Sequence, residues 1–254
     1  MSSRPPAACC ATGTLHQGTP VGTMVKIDGK IDGYRAKPSA QTRTAILYIP
    51  DIVGIWQNSK LMADAFAEQG YVCLVVDIFN GDPAPLNMPD GFDIMGWLTK
   101  GSQGDKLLAR LAILSGRNLV SGCGGAVHRW PLPLVVAWFK SHPSFVEEQE
   151  LSAVVGPLSI AAAEHDDIFP VEKRHESEAI LSKSKNEWQI NLFSGVHHGF
   201  AVRGDMSDSK QRFAKEQAFN QAVAWFKTKY QEQALNSYPE VSASILAAIS
   251  LPDS

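Results

Sequence analysis

Two uninterrupted apolar runs, Thr44 to Pro50 (TAILYIP) and Tyr71 to Val76 (YVCLVV), flank a segment with helical spacing and constrain the fold more than any other feature of this chain. A strand that alternates polar and apolar residues can leave one face in water. A continuous apolar run needs cover on both faces, as a strand inside a parallel sheet has. Between the runs, Leu61, Met62, Ala65 and Phe66 recur at helix period over Asn58 to Gln69, and Gly70 closes the segment. Strand, loop, helix, strand is the repeating unit of a doubly wound sheet with right-handed crossovers, so the fold class expected is α/β and mostly parallel.

The flanking segments extend this unit. Val21 to Ile27 and Ile31 to Ala36 are strand-like and joined through Asp28-Gly29-Lys30, which predicts an antiparallel hairpin at the start of the fold. Further buried strands are expected at Leu134 to Phe139, Pro157 to Ala163 and Trp188 to Phe193, with helices at 105 to 115, Val171 to Lys183 and Lys210 to Tyr230. Phe79 to Gly96 carries Pro83, Pro85 and Pro89 and reads as an irregular pocket rim. The organisation expected is an irregular N-terminal arm over 1–20, one α/β domain over 21–230, and an extension over 231–254 that docks as a short helix or frays.

A net charge of -3 leaves no strongly basic face for nucleic acid or an anionic membrane, and a small neutral or anionic molecule in a pocket is the expected partner. No apolar run approaches the roughly 20 residues of a membrane span, and the first residues lack a signal-peptide core, so a cytoplasmic location is expected. Four cysteines in 254 residues make no disulfide framework. Cys9-Cys10 has no second spaced pair and His16 alone does not complete a metal site, so the pair reads as structural or incidental, and neither metal nor cofactor is called for.

The reactive stretch is Ser121-Gly122-Cys123-Gly124-Gly125. Small residues two before and two after a central nucleophile are what a tight strand-to-helix elbow requires. The strand before it would end at Leu119 and Val120, and Pro131 and Pro133 would stop the following helix within two turns. Ligands of parallel sheets bind at the carboxyl ends of strands. Asp51, Cys123, Asp166 and His198 each fall just past a predicted strand, and nucleophile, acid, histidine is the triad order of α/β-hydrolases. His198, between glycines, suits a general base, whereas His197 reads as a surface residue. Asp166 would orient the imidazole, and spacing does not separate it from the neighbouring carboxylates Glu164 and Asp167. Oxyanion donors would be the backbone N–H groups of Gly124 and Ile52. Arg203 would meet a substrate carboxylate.

With these residues placed, the chain resembles the dienelactone hydrolase family, in particular its fungal members, over Pro6 to Tyr230. The matching stretches are CC-x-x-G-x-x-H-x-G-x-P-x-G from Cys9, YIPDIVGIW from Tyr48, VVDIFNGDP from Val75, HPSFV from His142, PLSIAAAEHDDIFP from Pro157 and FSGVHHGFAVRGD from Phe193. The resemblance implies an α/β-hydrolase fold and a Cys123-His198-Asp166 triad. It places Asp51 where the family usually has a Glu that helps deprotonate the thiol, and Arg203 where it has a substrate-carboxylate arginine. Asn80 stands where bacterial members have a second such arginine. At the elbow the family pattern G-x-C-x-G-G is replaced by SGCGGA, with Ser121 and Ala126 standing for glycines. The function implied is hydrolysis of an enol-lactone, ester or thioester through an acyl-cysteine, in aromatic breakdown or polyketide secondary metabolism, by a monomer or homodimer. The alternative is a family member that binds a small molecule without turnover.

Overall fold

The computed structural model describes residues 7–27, 29–42, 44–99, 137–143, 148–154 and 156–234. The elbow with Cys123 and Gly124, the strand and helices expected around it, and 235–254 of the C-terminal extension lie outside these residues.

The hairpin forms as expected: β1 (Thr23–Ile27) and β2 (Ile31–Ala36) pair antiparallel, with Thr23 opposite Arg35. β3 (Ala45–Tyr48) and β4 (Val72–Val76) are parallel, and β2 joins them through β4, giving the order β1-β2-β4-β3. β5 (Trp138–Ser141), β6 (Leu158–His165) and β7 (Trp188–His197) form a second, all-parallel set. Helices α1 (Gln57–Glu68), α2 (Ile94–Thr99), α3 (Glu148–Ser152), α4 (Val171–Leu181), α5 (Phe200–Arg203) and α6 (Ser209–Ala234) connect and cover these strands. No helix among the described residues is long and apolar enough to cross a membrane.

The continuous apolar runs are explained by where successive side chains go. Strand side chains alternate between faces. Leu47, Ile49, Leu74 and Val76 enter one apolar layer with Leu158, Ile160 and Leu181, while Ile46, Tyr48, Cys73 and Val75 enter the other with Ala161, Ala163 and Phe66. Both layers draw on both strand sets. α6 supplies the second layer with Ala214, Ala218, Ala222 and Phe226, whose four-residue spacing puts them on one face. Burying each large apolar side chain here is worth about 1.5–3 kcal/mol relative to exposure.

Residues 7–20 are irregular apart from a 3-10 turn at Ala8–Cys10, yet they do not drape loosely. His16 Nε2 donates to Gly204 O at 2.7 Å, Asn58 Nδ2 donates to Thr14 O and Val202 O, and Thr14 N donates to Arg203 O at 2.9 Å. Gly13 passes so close that a Cβ there would lie 2.3 Å from Arg203 Cβ, which explains a glycine at this position. The segment is a wall of the fold.

Candidate active site

Parallel pairing sets the site. β6 and β7 run side by side, with His165 opposite His197, so the residues that follow them, Asp166 and His198, emerge together. His198 Nδ1 lies 2.9 Å from Asp166 Oδ2 and 3.0 Å from Oδ1. Asp166 Oδ1 also accepts the N–H groups of Ile168 and Phe169, each at 2.9 Å, so the turn into α4 holds the carboxylate in place. Both side chains are almost fully buried. Glu164 instead faces outward and accepts the Gly195 N–H at 2.7 Å, and His197 stacks on His165 away from the dyad. The geometry therefore separates Asp166 from its neighbours where spacing did not.

The electrostatics follow from burial and pairing. Burial alone would raise the Asp166 carboxyl, but the hydrogen bond and charge of His198 and the two backbone N–H groups outweigh it and hold it below the usual carboxylate range. Burial pulls His198 down, and hydrogen bonds to Asp166 and Cys10 more than compensate, so the imidazole rises from 6.5 to about 9. Asp166 is thus the acceptor, Nδ1 carries a proton, and the ring stays cationic through neutral pH. An NMR titration of the His198 ring protons should show a midpoint near 9. In Asp166→Asn the largest opposing influence is gone, burial prevails, and the midpoint should fall. A midpoint that does not move would contradict this account of the pair.

Two residues outside the site expected from sequence act on this imidazole. Cys10 closes the 3-10 turn, and its thiol and the His198 ring influence each other's charge. With Nδ1 given to Asp166, Nε2 is the nitrogen that can face the sulfur. The hydrogen bond from Cys9 and that of His198 lower the Cys10 thiol against the opposing effect of burial, while Cys9 is raised by the same contact. His142, immediately after β5, packs edge-on against His198 with ring centroids 4.9 Å apart. It is buried with a left-handed φ of 38°, a conformation that costs a non-glycine residue about 1–3 kcal/mol and is found disproportionately at functional sites. Burial and the neighbouring His198 and Arg203 charges hold it neutral. Both residues sit in stretches, CC-x-x-G and HPSFV, that carried the family resemblance, and that was the signal available for them.

Asp51 and Arg203 are also brought together. Arg203 Nη1 donates to Asp51 Oδ2 and its Nε donates to Thr12 O, while Asp51 Oδ1 accepts the Val53 N–H at 3.0 Å. The guanidinium is 1% exposed, and its charge is met by Asp51 from within the protein. Gly199 has a φ of 91°, and a Cβ there would lie 2.3 Å from Arg203 Nη2, so the glycine after His198 makes room for this arginine. Ile52 is half-buried in the turn after β3, directly beside the pair. The other proposed oxyanion donor, Gly124, and the nucleophile Cys123 lie outside the described residues. Among the described residues no cluster of His, Cys, Asp and Glu has the arrangement of a metal site.

A buried His-Asp pair at adjacent strand ends of a parallel sheet is hydrolase geometry, and comparison with known proteins agrees. The profile of the dienelactone hydrolase family matches residues 31–230. The chain belongs to the dienelactone hydrolase family. It is 43% identical to hydrolase pyvD of Aspergillus violaceofuscus over 89% of this chain and 98% of that one. It is 40% identical to hydrolase tropI of Talaromyces stipitatus over 92% of this chain and 100% of that one. Dienlactone hydrolase 1 of Gibberella moniliformis is 31% identical over 88% of this chain and 94% of its own. Among solved structures, a dienelactone hydrolase-like promiscuous phosphotriesterase from metagenomic libraries superposes with a TM-score of 0.59 at 13% identity, over 82% of this chain and 97% of that one. Propionate-bound esterase 2 of Thermogutta terrifontis superposes with a TM-score of 0.53 at 14% identity, over 82% and 94%. The fold is that of the α/β-hydrolases, and this family member is a carboxylic ester hydrolase acting on ester or lactone bonds.

Proposed function

We propose that the hydrolase opens an enol-lactone, ester or thioester of a small neutral or anionic molecule through an acyl-cysteine on Cys123. The buried His198–Asp166 pair at neighbouring strand ends carries this reading. In it, Cys123 attacks the carbonyl carbon as a thiolate beside the His198 imidazolium, and the N–H groups of Ile52 and Gly124 stabilise the oxyanion. The imidazolium protonates the leaving oxygen or sulfur. His198 then takes a proton from water, the hydroxide attacks the thioester, and the acid leaves as the thiolate and imidazolium are restored. Asp166 holds the ring and its charged form throughout. The reaction takes place in the cytoplasm, which keeps the thiol reduced, and serves aromatic breakdown or secondary metabolism.

Cys123→Ala should abolish turnover of p-nitrophenyl acetate while the circular dichroism spectrum and melting temperature stay near those of the parent. Full activity in that variant would remove Cys123 from the mechanism. The departure of SGCGGA from the family elbow supports a second reading, binding without turnover. Calorimetric binding of a small lactone, with no hydrolysis by the parent protein, would select it.

A further inference from the structure

Three side chains stand at the ends of three adjacent parallel strands: His142 after β5, Asp166 after β6 and His198 after β7. Asp166 holds His198 by one atom, Nδ1, which lies 2.9 and 3.0 Å from its two oxygens. The ring torsion of a histidine is intrinsically broad, so a second contact away from Nδ1 is what fixes the plane. His142 supplies one. Its ring meets that of His198 at 72° with centroids 4.9 Å apart, and it also meets the Phe200 ring at 66° and 6.2 Å. His142 is itself anchored, since its N–H donates to Ala161 O at 2.8 Å beside the last β5–β6 pair and the residue is 1% exposed. The chain accepts a φ of 38° to keep a bulky ring where glycine would take that conformation freely. Burial and the His198 and Arg203 charges hold His142 neutral, so it brings no second cation against the imidazolium.

We propose that His142 is a positioning residue for the hydrolysis, fixing the plane of the His198 ring so that Nε2 points along the path of the proton it gives to the leaving group and takes from water. This rests on the reading of His198 as the proton carrier. Asp166 fixes one edge of the ring and its tautomer, and His142 fixes the orientation about that edge. His142 takes no part in proton transfer. A flat side chain of similar reach can therefore replace it, whereas a short amide cannot. Misaligning a proton donor costs most where the leaving group is basic and must be protonated as it departs, since a stable leaving anion needs less help. A placement error on the order of 1 Å is worth about 10²-fold in rate.

A series of aryl acetates running from p-nitrophenyl to phenyl acetate tests this in the parent, His142→Asn and His142→Phe. Asparagine tolerates the left-handed backbone and removes the ring, whereas phenylalanine keeps a ring. In His142→Asn, kcat/KM for phenyl acetate should fall about 10²-fold, and that for p-nitrophenyl acetate several-fold less, so the dependence on leaving-group basicity steepens. His142→Phe should recover most of the loss. A smaller folded fraction would lower every ester by one factor. That result, or equal losses in the two variants, would overturn the positioning role. A second readout needs no turnover and is made in Cys123→Ala. There the His198 ring protons should give one narrow set of NMR signals, which His142→Asn shifts and broadens and His142→Phe keeps narrow. Signals unchanged in His142→Asn would overturn the role whatever the kinetics show. A parent that turns over no ester, with the NMR result as expected, would instead remove the acyl-cysteine reading and leave the placement of His198 by His142 standing.

Discussion

Replacing His198 with alanine is expected to lower kcat/KM for a small activated ester on the order of 10⁴-fold or more with the fold retained, because members of a catalytic triad act as a unit. The ring is the one group in the proposed reaction that both protonates the leaving group and takes the proton of the attacking water, and Asp166 holds it in place. Asp166→Asn should give a loss approaching the same size for a different reason. An amide can accept from Nδ1 on only one of its two atoms and carries no charge, so it neither holds the tautomer nor favours the imidazolium. The ring should remain between β5 and the end of β7 in that variant, since His142 packs against it independently of the carboxylate. Steady-state kinetics with p-nitrophenyl acetate measure both effects. Near-parental activity in His198→Ala would mean that another group serves as base, and the proposed reaction would have to be abandoned.

The second large effect concerns stability. Arg203→Met removes a buried guanidinium and leaves the Asp51 carboxylate without its cation in a dry environment, a change that typically costs about 3–5 kcal/mol. Arg203 also ties Thr12 O to α5, so its loss should loosen residues 7–20, making them early sites of limited proteolysis. Asp51→Asn combined with Arg203→Met should recover much of the loss, because the stranded charge is then gone. Urea denaturation of the parent, the single and the double variant measures this. The same series separates two roles for the arginine. If it anchors a substrate carboxylate, as the family resemblance implies, Arg203→Met raises KM for anionic esters far more than for neutral ones and leaves the denaturation midpoint almost unmoved. If it is the keystone of the wall beneath the site, stability falls and both kinds of ester suffer alike.

Local reading placed most strands and helices because its physics is local. β4 is apolar at every position since both faces are covered, and α6 shows its buried face in the spacing of Ala214, Ala218 and Ala222, whereas α1 forms over the expected segment but buries Ala63, Phe66 and Ala67, with Leu61, Met62 and Ala65 only partly covered. The misses have tertiary causes. β7 was expected to end at Phe193 and continues to His197, since pairing with β6 satisfies backbone groups where side-chain pattern gives no strand signal. β5 was expected over Leu134 to Phe139 and runs Trp138–Ser141, where Lys140 and Ser141 are buried by register with Ile160 and Ala161 rather than by their own polarity. α5, a single turn between Gly199 and Gly204, is too short to have a period.

Sequence alone determined the fold class, the family, and the fact that Asp166 and His198 stand just past strand ends, because apolar periodicity and turn residues act over a few positions. What it could not decide is which groups far apart in the chain would share one small volume. Only the folded path puts Asp166 rather than Glu164 on His198, spends Arg203 on Asp51, and packs His142 edge-on against the same imidazole. Those choices follow from parallel register and from a buried arginine that cannot remain unpaired, forces that operate between elements and leave no periodic trace in any one of them.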